Sequence, residues 1–497
     1  MGFASSLVVA YFYGASQQRD AFLLALVIPG YISSVVSGNL SLQFMPIFID
    51  YQAKDTQRAW RVASSVVSVT AAALSLIAIL GALFSQTFVA WIANTQGAQQ
   101  RELAGGLMQI LMPSVLFNAL AALLSGLHYA ERRFILPTLA PIANSTITVV
   151  VNVVLHHKWG ISSLAVGYTL GSLASAAILV PGIAQRGHLH LCLNLRDEGL
   201  LRVFRTSLPL FLASLVYRFN TGFERIIGAA LPTGSISLVA YATQATGILS
   251  TLTSAGIATT VFPLLSRSWA DRDLDAVRRY LGIGVRSVLL VALPVVALVL
   301  VFAQDIVAIL FQRGAFDSHA TVAVSRCLSL LLAGYVAGNL GNVVAKCFYV
   351  TQKTTFLACY SVLETFGYVC LAVLLSRRFS FLGLAAASSV RDVVGIAVLL
   401  VMASRLFAGI NGYAMLRDAL KIAVSSALLL LGALPIRHFL KGHVSNIAVL
   451  AAASAMGLVV YVSLTVYVLR IEEARRLMDA TAFRVPLLRR LAPRPRS

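Results

Sequence analysis

Residues 287–303 read SVLLVALPVVALVLVFA, an apolar run with no charge inside it. It sits in a longer stretch, 280–311, that exceeds the roughly 20 apolar residues needed to cross a bilayer's hydrocarbon. In lipid only helices and closed barrels satisfy their own backbone polar groups. The run is too continuous for the alternating strands of a barrel, so it reads as a transmembrane helix. Working outward, similar stretches fill almost the whole chain, at about 1–16, 20–49, 63–93, 103–130, 134–156, 160–184, 203–230, 236–265, 320–350, 354–376, 380–405, 416–436 and 444–470. With 58% hydrophobic and 12% charged residues and a mean hydropathy of +0.83, the 497-residue chain reads as an all-α integral membrane protein of about fourteen spans.

The breaks between spans carry the polar residues, and their charge orients the chain. Lys and Arg of short loops mark the cytoplasmic side. Loops after even-numbered spans hold Lys54, Arg58, Arg61, Arg132, Arg133, Arg267, Arg272, Arg278, Arg279 and others, while loops after odd-numbered spans hold far fewer, Arg19 and Arg101 among them. Both termini are therefore expected in the cytoplasm. The same rule accounts for the formal net charge of +20 without a nucleic-acid partner. The arginine-rich tail beyond Arg470 reads as a short basic interfacial helix on anionic lipid. The first span is short and begins within an apolar run, so residue 1 is expected to lie inside the first helix. It lacks the basic region and cleavage site of a signal peptide.

Several function classes drop out. No loop is long enough for a soluble catalytic domain, and no GxxxxGK[ST] sequence is present to hold a nucleotide phosphate. Cys192, Cys327, Cys347, Cys359 and Cys370 lie singly and read as small packing residues. His188 and His190 form an isolated HxH in a loop with no third ligand nearby, so no metal is expected.

Two matches at nearly one offset suggest an internal repeat. Pro46 in FMPIFIDYQAKDTQRAWR resembles Pro263 in VFPLLSRSWADRDLDAVRR; in each, an apolar helix is expected to end near the proline. Tyr129 in LSGLHYAERRFILPTLAP resembles Tyr349 in VAKCFYVTQKTTFLACYS. Six spans per repeat give two halves of the same orientation, a parallel repeat of the kind that places a transporter's substrate between its halves. The expected organisation is a six-helix lobe over 1–184, a cytoplasmic linker over 185–205, a second six-helix lobe over 206–408, two further helices over 409–470 and the basic tail over 471–497.

Four stretches in register, Leu310 to Phe316, Glu224 to Ala242, Phe134 to Asn144 and Asp20 to Pro46, together resemble the MviN/MurJ family of lipid II flippases. Leu310-Phe311-Gln312-Arg313-Gly314-Ala315-Phe316 is similar to that family's LF-x-RG-x-F signature. Glu224-Arg225, then Leu231 to Ser237 and Tyr241-Ala242, match its DR…LPxGSIS…YA segment. Phe134, Pro137, Pro141 and Asn144 match RFxxPxxAPxxxN, and Asp20-Ala21-Phe22, Ile28-Pro29, Ser41, Phe44 and Pro46 match the second helix. The resemblance spans essentially the whole chain. It implies a two-lobed inner-membrane flippase of the multidrug/oligosaccharidyl-lipid/polysaccharide exporter superfamily. Such a protein carries an undecaprenyl-pyrophosphate-linked sugar to the periplasmic leaflet, with its last two helices helping to hold the lipid tail.

The resemblance also implies cavity arginines in helices 1, 2 and 8, and here the chain departs. Those positions hold Ser5 and Tyr11, the uncharged stretch Gly30 to Ser34, and Gln244. A pyrophosphate clamp favours guanidinium, whose fork makes bidentate charge-assisted bonds. The departure makes a divergent member, serving an exopolysaccharide precursor rather than lipid II, the second expectation. Ionisable residues do occur at membrane depth, where each costs a few kcal/mol or more and marks a paired or functional site. Arg218, Glu224 and Arg225 lie in span 7; seven residues apart, Arg218 and Arg225 are expected on one face, with Glu224 about 100° away. Glu364 lies in span 11 and Arg391-Asp392 in span 12, while Lys346 is placed to snorkel to the surface. Asp20, at the start of span 2, is either a cavity residue or the N-cap of its own helix.

The sequence thus predicts a flippase working by alternating access, with Arg218, Arg225, Glu224, Asp20, Gln244, Arg391 and Asp392 as cavity residues. It needs no cofactor. Transport is coupled to the membrane potential, or to H+ or Na+ through Glu364 or Asp392. Its partners are the lipid-linked glycan, membrane lipids and cell-wall or polysaccharide synthesis machinery. A cation-coupled drug exporter would want an acid deep in the first lobe, whose Asp20, Asp50, Asp55, Glu102 and Glu131 all lie near span ends. A membrane-embedded transferase would want clustered carboxylates; Asp271, Asp273 and Asp275 interleave with arginines in a loop instead.

Overall fold

The structure, a computed structural model, describes residues 2–184, 190, 192, 197–407, 409, 412–440 and 446–468. The basic tail, His188 and most of the linker expected after residue 184 lie outside the described residues. Every described element is helical. In chain order the first half forms α1 (Phe3–Tyr13), α2 (Gln17–Ala25), α3 (Val27–Lys54), α4 (Thr56–Leu83), α5 (Ser85–Ile92), α6 (Ala98–Leu111), α7 (Pro113–Ala130), α8 (Ile135–Trp159), α9 (Ser162–Ala177) and α10 (Val180–Ala184). The second forms α11 (Glu198–Arg218), α12 (Asn220–Ala229), α13 (Ser235–Ala270), α14 (Leu274–Phe311), α15 (Ser318–Val350), α16 (Thr354–Phe379), α17 (Phe381–Leu406), α18 (Gly412–Leu440) and α19 (Asn446–Ser463), which ends in a π turn over Leu464–Val468.

Among the described residues, ten helical segments are long and apolar enough to cross a membrane. The four other expected spans coincide with α1, with α11 and α12 together, with α13 and with α18. Of these, α1 has only eleven residues and α11 is broken and polar, carrying Arg202, Arg205 and Arg218.

Proline explains two breaks inside expected spans. Pro29 has no N–H for the Ala25 carbonyl and its ring crowds that group, so α2 ends at Ala25 and α3 starts anew. Pro113 likewise opens α7 just after α6. A third break, at Phe219 between α11 and α12, has no proline to cause it, and nothing in the local sequence explains it. Pro46 and Pro263 do the opposite of what was expected: each lies inside its helix, which continues to Lys54 and Ala270 respectively. The two tyrosine motifs are built alike. Arg132 N–H donates to Tyr129 O and Arg133 N–H to His128 O; Gln352 and Lys353 repeat this to Tyr349 and Phe348. Both turns use a left-handed residue, Arg132 at φ 58° and Gln352 at φ 56°, closing each helix with a paired carbonyl cap.

Packing divides the chain into two compact units: Met1–Leu238 with Phe311–Ala320 and Ser376–Phe381, and Val239–Leu310 with Thr321–Leu375 and Leu382–Ser497. The first is cored by Phe44, Phe48, Trp60, Leu123, Leu127 and their neighbours, the second by Leu281, Val288, Val343, Phe407 and Ile422 among others. The LFQRGAF stretch has a packing role in the first unit. Gly314 (φ 58°) and Gly14 (φ 52°) let two backbones meet, and Ala315 N–H donates to Tyr11 O at 2.8 Å. A Cβ on Gly14 would lie 2.2 Å from Ala315 O, and one on Gly314 2.3 Å from Tyr11 O, so only glycine fits either position.

Candidate functional site

In the first unit the charges gather around the end of α2. Ser16 caps that helix, accepting from Arg19 N–H at 3.4 Å. This frees Asp20, which caps a different helix. Its Oδ2 accepts from Gly234 N–H at 2.6 Å, and its Oδ1 from Ser237 N–H at 2.8 Å and Ser237 Oγ–H at 2.5 Å. The N-capping reading of Asp20 was therefore right in kind and wrong in address: the orphan amides are those of α13. Asp20 is 3% exposed. Arg19, expected as a loop cation, is 5% exposed and buried beside it.

Arg225 approaches from α12. Its Nη1 donates to Leu23 O at 3.0 Å. That carbonyl lies in the last turn of α2, where the break at Leu26 leaves carbonyls without in-helix donors. Arg225 also interacts electrostatically with Arg19, with its neighbour Glu224 and with Tyr168 of α9. Arg218 is elsewhere. As the last residue of α11 it lies against α3, where a Cβ on Gly38 would come within 2.5 Å of Nη2. Because the helix breaks at Phe219, the two arginines are not on one continuous face. Gly38 and Leu23 are fifteen residues apart along α2 and α3, about 20 Å of helix at 1.5 Å per residue. In this conformation the two guanidinium groups do not meet. Of the positions where the family resemblance implied arginine, Ser5 is buried, Tyr11 is half exposed and gives its carbonyl to Ala315, and Gln244 is half-buried.

The second unit holds its own cluster, between α16 and α17. Arg391 Nε and Nη2 donate to Asp392 Oδ1 at 2.9 and 2.8 Å, and Nε lies 4.0 Å from Glu364 Oε1. The guanidinium carbon lies 5.0 Å from the centre of the Tyr368 ring, a cation–π contact. Tyr360 hydrogen-bonds Glu364. Two glycines make the room: a Cβ on Gly395 would meet Tyr360 Oη at 2.3 Å, and one on Gly334 would lie 3.0 Å from Asp392 Oδ2. Asp392 is thus paired with its sequence neighbour. Lys346 lies 5.7 Å from the rings of both Phe262 and Tyr349.

Sequence reading missed Arg19, Tyr168, Tyr360 and Tyr368. For the last two a signal existed: Tyr360, Glu364 and Tyr368 recur every four residues, one polar stripe on an otherwise apolar helix. Arg19 gave none, since a cation at a helix start usually reads as solvated.

Comparison with known proteins agrees with this architecture. The model of the family described as lipid II flippase MurJ matches residues 9–475. A lipid II flippase MurJ of Burkholderia cenocepacia is 30% identical over 363 residues, 71% of this chain and 70% of that protein. A probable lipid II flippase MurJ of Haemophilus influenzae is 26% identical over 485 residues, 93% of this chain and 89% of that protein. The fold is similar to a solved lipid II flippase MurJ in an inward closed conformation, at a TM-score of 0.79 and 19% identity, covering 93% of this chain and 95% of that one. It is also similar to an inward-facing multidrug resistance transporter of the MATE family, at a TM-score of 0.71 and 14% identity, covering 82% of this chain and 93% of that one. With the family model covering nearly the full length and the helices in matching order, this chain belongs to the lipid II flippase MurJ family.

Proposed function

We propose that this protein moves an undecaprenyl-pyrophosphate-linked glycan, lipid II or a related lipid-linked oligosaccharide, from the cytoplasmic to the periplasmic leaflet by alternating access. Family membership supports the class of activity. The observation that carries the residue-level reading is the pair of arginines, Arg19 buried and Arg225 half-buried, beside an acid whose two oxygens are already taken by the start of α13. Asp20 is held by the amides of α13, and Arg19 and Arg225 keep guanidinium donors in the same place. A diphosphate entering here meets guanidinium forks suited to its oxygens. Arg218 then serves a separate point on the head group's route.

Coupling, in this reading, belongs to the second unit. Arg391 bridges Asp392 and Glu364, so H+ or Na+ acts there by competing with the guanidinium for a carboxylate. The membrane potential supplies about 2.3 kcal/mol per charge per 100 mV as an alternative drive. The protein works in the bacterial inner membrane with both termini cytoplasmic, as two six-helix lobes with two extra helices and alongside the machinery that makes or uses the glycan. It forms no covalent intermediate and is not an enzyme.

A second reading, export of an exopolysaccharide precursor, rests on Ser5, Tyr11 and Gln244 standing where the family pattern has arginine. Expression in cells depleted of their lipid II flippase separates the two. Restored growth and transfer of labelled lipid II to the outer leaflet are expected. Failure to rescue by protein that is present in the membrane would overturn the lipid II assignment and favour the exopolysaccharide one.

A further inference from the structure

The start of α18 and the start of α14 form a basic cleft that neither the charge clusters above nor the transport path uses. Arg286 lies about three turns inside α14, and its Nη1 is 3.5 Å from Asp418 Oδ2 on α18. Both side chains are about four-fifths buried, at 21% and 18% exposed. The Arg286 guanidinium lies over Gly282, where a Cβ would sit 3.6 Å from Nη1, so the side chain reaches back towards the helix start. Arg279, seven residues earlier, falls on the same face and is exposed. On α18, Arg417 Nε lies 3.6 Å from Asp418 Oδ1, and Lys421 is one turn further on. Two arginines therefore share one acid, with two further cations within two turns along the same helices. Arg278 belongs to another structure, donating to Phe407 O at 2.9 and 2.6 Å.

What flanks this cleft tells what fills it. Tyr413, Leu416, Leu420 and Val424 form an exposed apolar stripe along α18 at helical spacing. Arg417 and Lys421 border that stripe within one turn. Cations beside a lipid-facing stripe, at a helix end, sit where a headgroup phosphate lies. Both helices begin at the face that the Lys/Arg bias assigns to the cytoplasm, whose leaflet is rich in anionic lipid. We propose that the α14–α18 cleft binds the phosphate of an anionic phospholipid, with Arg286, Arg417 and Lys421 as donors, Arg279 as an outer cation, and Asp418 holding Arg286 and Arg417 in place.

The test uses the full chain in nanodiscs of phosphatidylcholine and phosphatidylglycerol, released for native mass spectrometry. Phosphatidylglycerol should be retained in preference to phosphatidylcholine. Arg417→Gln with Lys421→Gln should weaken that retention roughly thirtyfold, from about fivefold per cation near an anionic surface. Arg286→Gln with Asp418→Asn removes the inner pair without stranding a buried charge, and should weaken it by about fivefold, for the one donor lost. Arg377→Gln with Arg378→Gln, an exposed pair elsewhere, should leave retention unchanged. Equal retention of the two lipids by the unmodified chain overturns the site, as does unchanged retention in both cleft variants or an equal loss in the control. If inorganic phosphate displaces the lipid at equal concentration, the cleft is a soluble-phosphate site and the lipid assignment falls.

Discussion

The arginine of α12 and the arginine of α17 are both half-buried, yet their surroundings differ in kind. Arg391 has two carboxylates and an aromatic face within reach, and its charge is answered inside the second unit. Arg225 donates to a backbone carbonyl and has its sequence neighbour Glu224 beside it, while Asp20 is bound to the amides of α13. One guanidinium is held by two carboxylates and a ring; the other is held by a backbone carbonyl, with an acid as its chain neighbour. A buried charge is expensive in either setting, and its partner tells whether it serves the fold or a ligand.

The contrast breaks most visibly at Arg391. Arg391→Ala would leave Glu364 and Asp392 buried without their cation, a loss of about 3–5 kcal/mol typical of an uncompensated buried pair. Membrane-extracted protein should melt far earlier or fail to accumulate, and Arg391→Met with Asp392→Leu and Glu364→Gln, which strands no charge, should recover most of the loss. Normal accumulation and melting of Arg391→Ala would place that cluster in water and remove the contrast. The next effect in size belongs to Asp20. Asp20→Ala strips two amides and a hydroxyl of their acceptor, costing about 2 kcal/mol for a lost cap. Asp20→Asn keeps an acceptor oxygen and should cost less. Hydrogen exchange at Gly234 and Ser237 should rise in the alanine variant, and unchanged protection there would refute the cap.

The smallest stability effect, and the one that sharpens the comparison most, is at Arg225. Arg225→Ala removes one hydrogen bond to a neutral carbonyl, about 1–2 kcal/mol, so the protein should still insert and fold. Transfer of the lipid-linked glycan should nevertheless be abolished, and Arg225→Lys should restore it only in part because an ammonium lacks the fork. Full transfer by a stable Arg225→Ala variant would leave the arginine of α12 with no more functional weight than that of α17.

The fold was legible because its cause is local. A run such as 287–303 can only be stable as a helix in lipid, and Pro29 or Pro113 breaks a helix wherever it falls. The motif residues could be listed from the sequence for the same reason, as could the acids and arginines that stand out in apolar surroundings. Roles depended on partners far away in the chain. Asp20 meets Gly234 and Ser237 more than two hundred residues later, and Gly14 meets Ala315 three hundred later. No periodicity encodes such pairs. The break at Phe219 shows the limit from the other side: seven residues imply a shared helical face only while the helix is unbroken, and Arg218 and Arg225 lie on either side of the break. The sequence by itself determined that this chain lives in the bilayer and which of its charges are costly there, because transfer from water to hydrocarbon depends on each residue and its near neighbours. Only the tertiary structure decided which of those charges are answered, because an ion pair or a cap needs two groups within about 3 Å and the chain alone does not fix that distance.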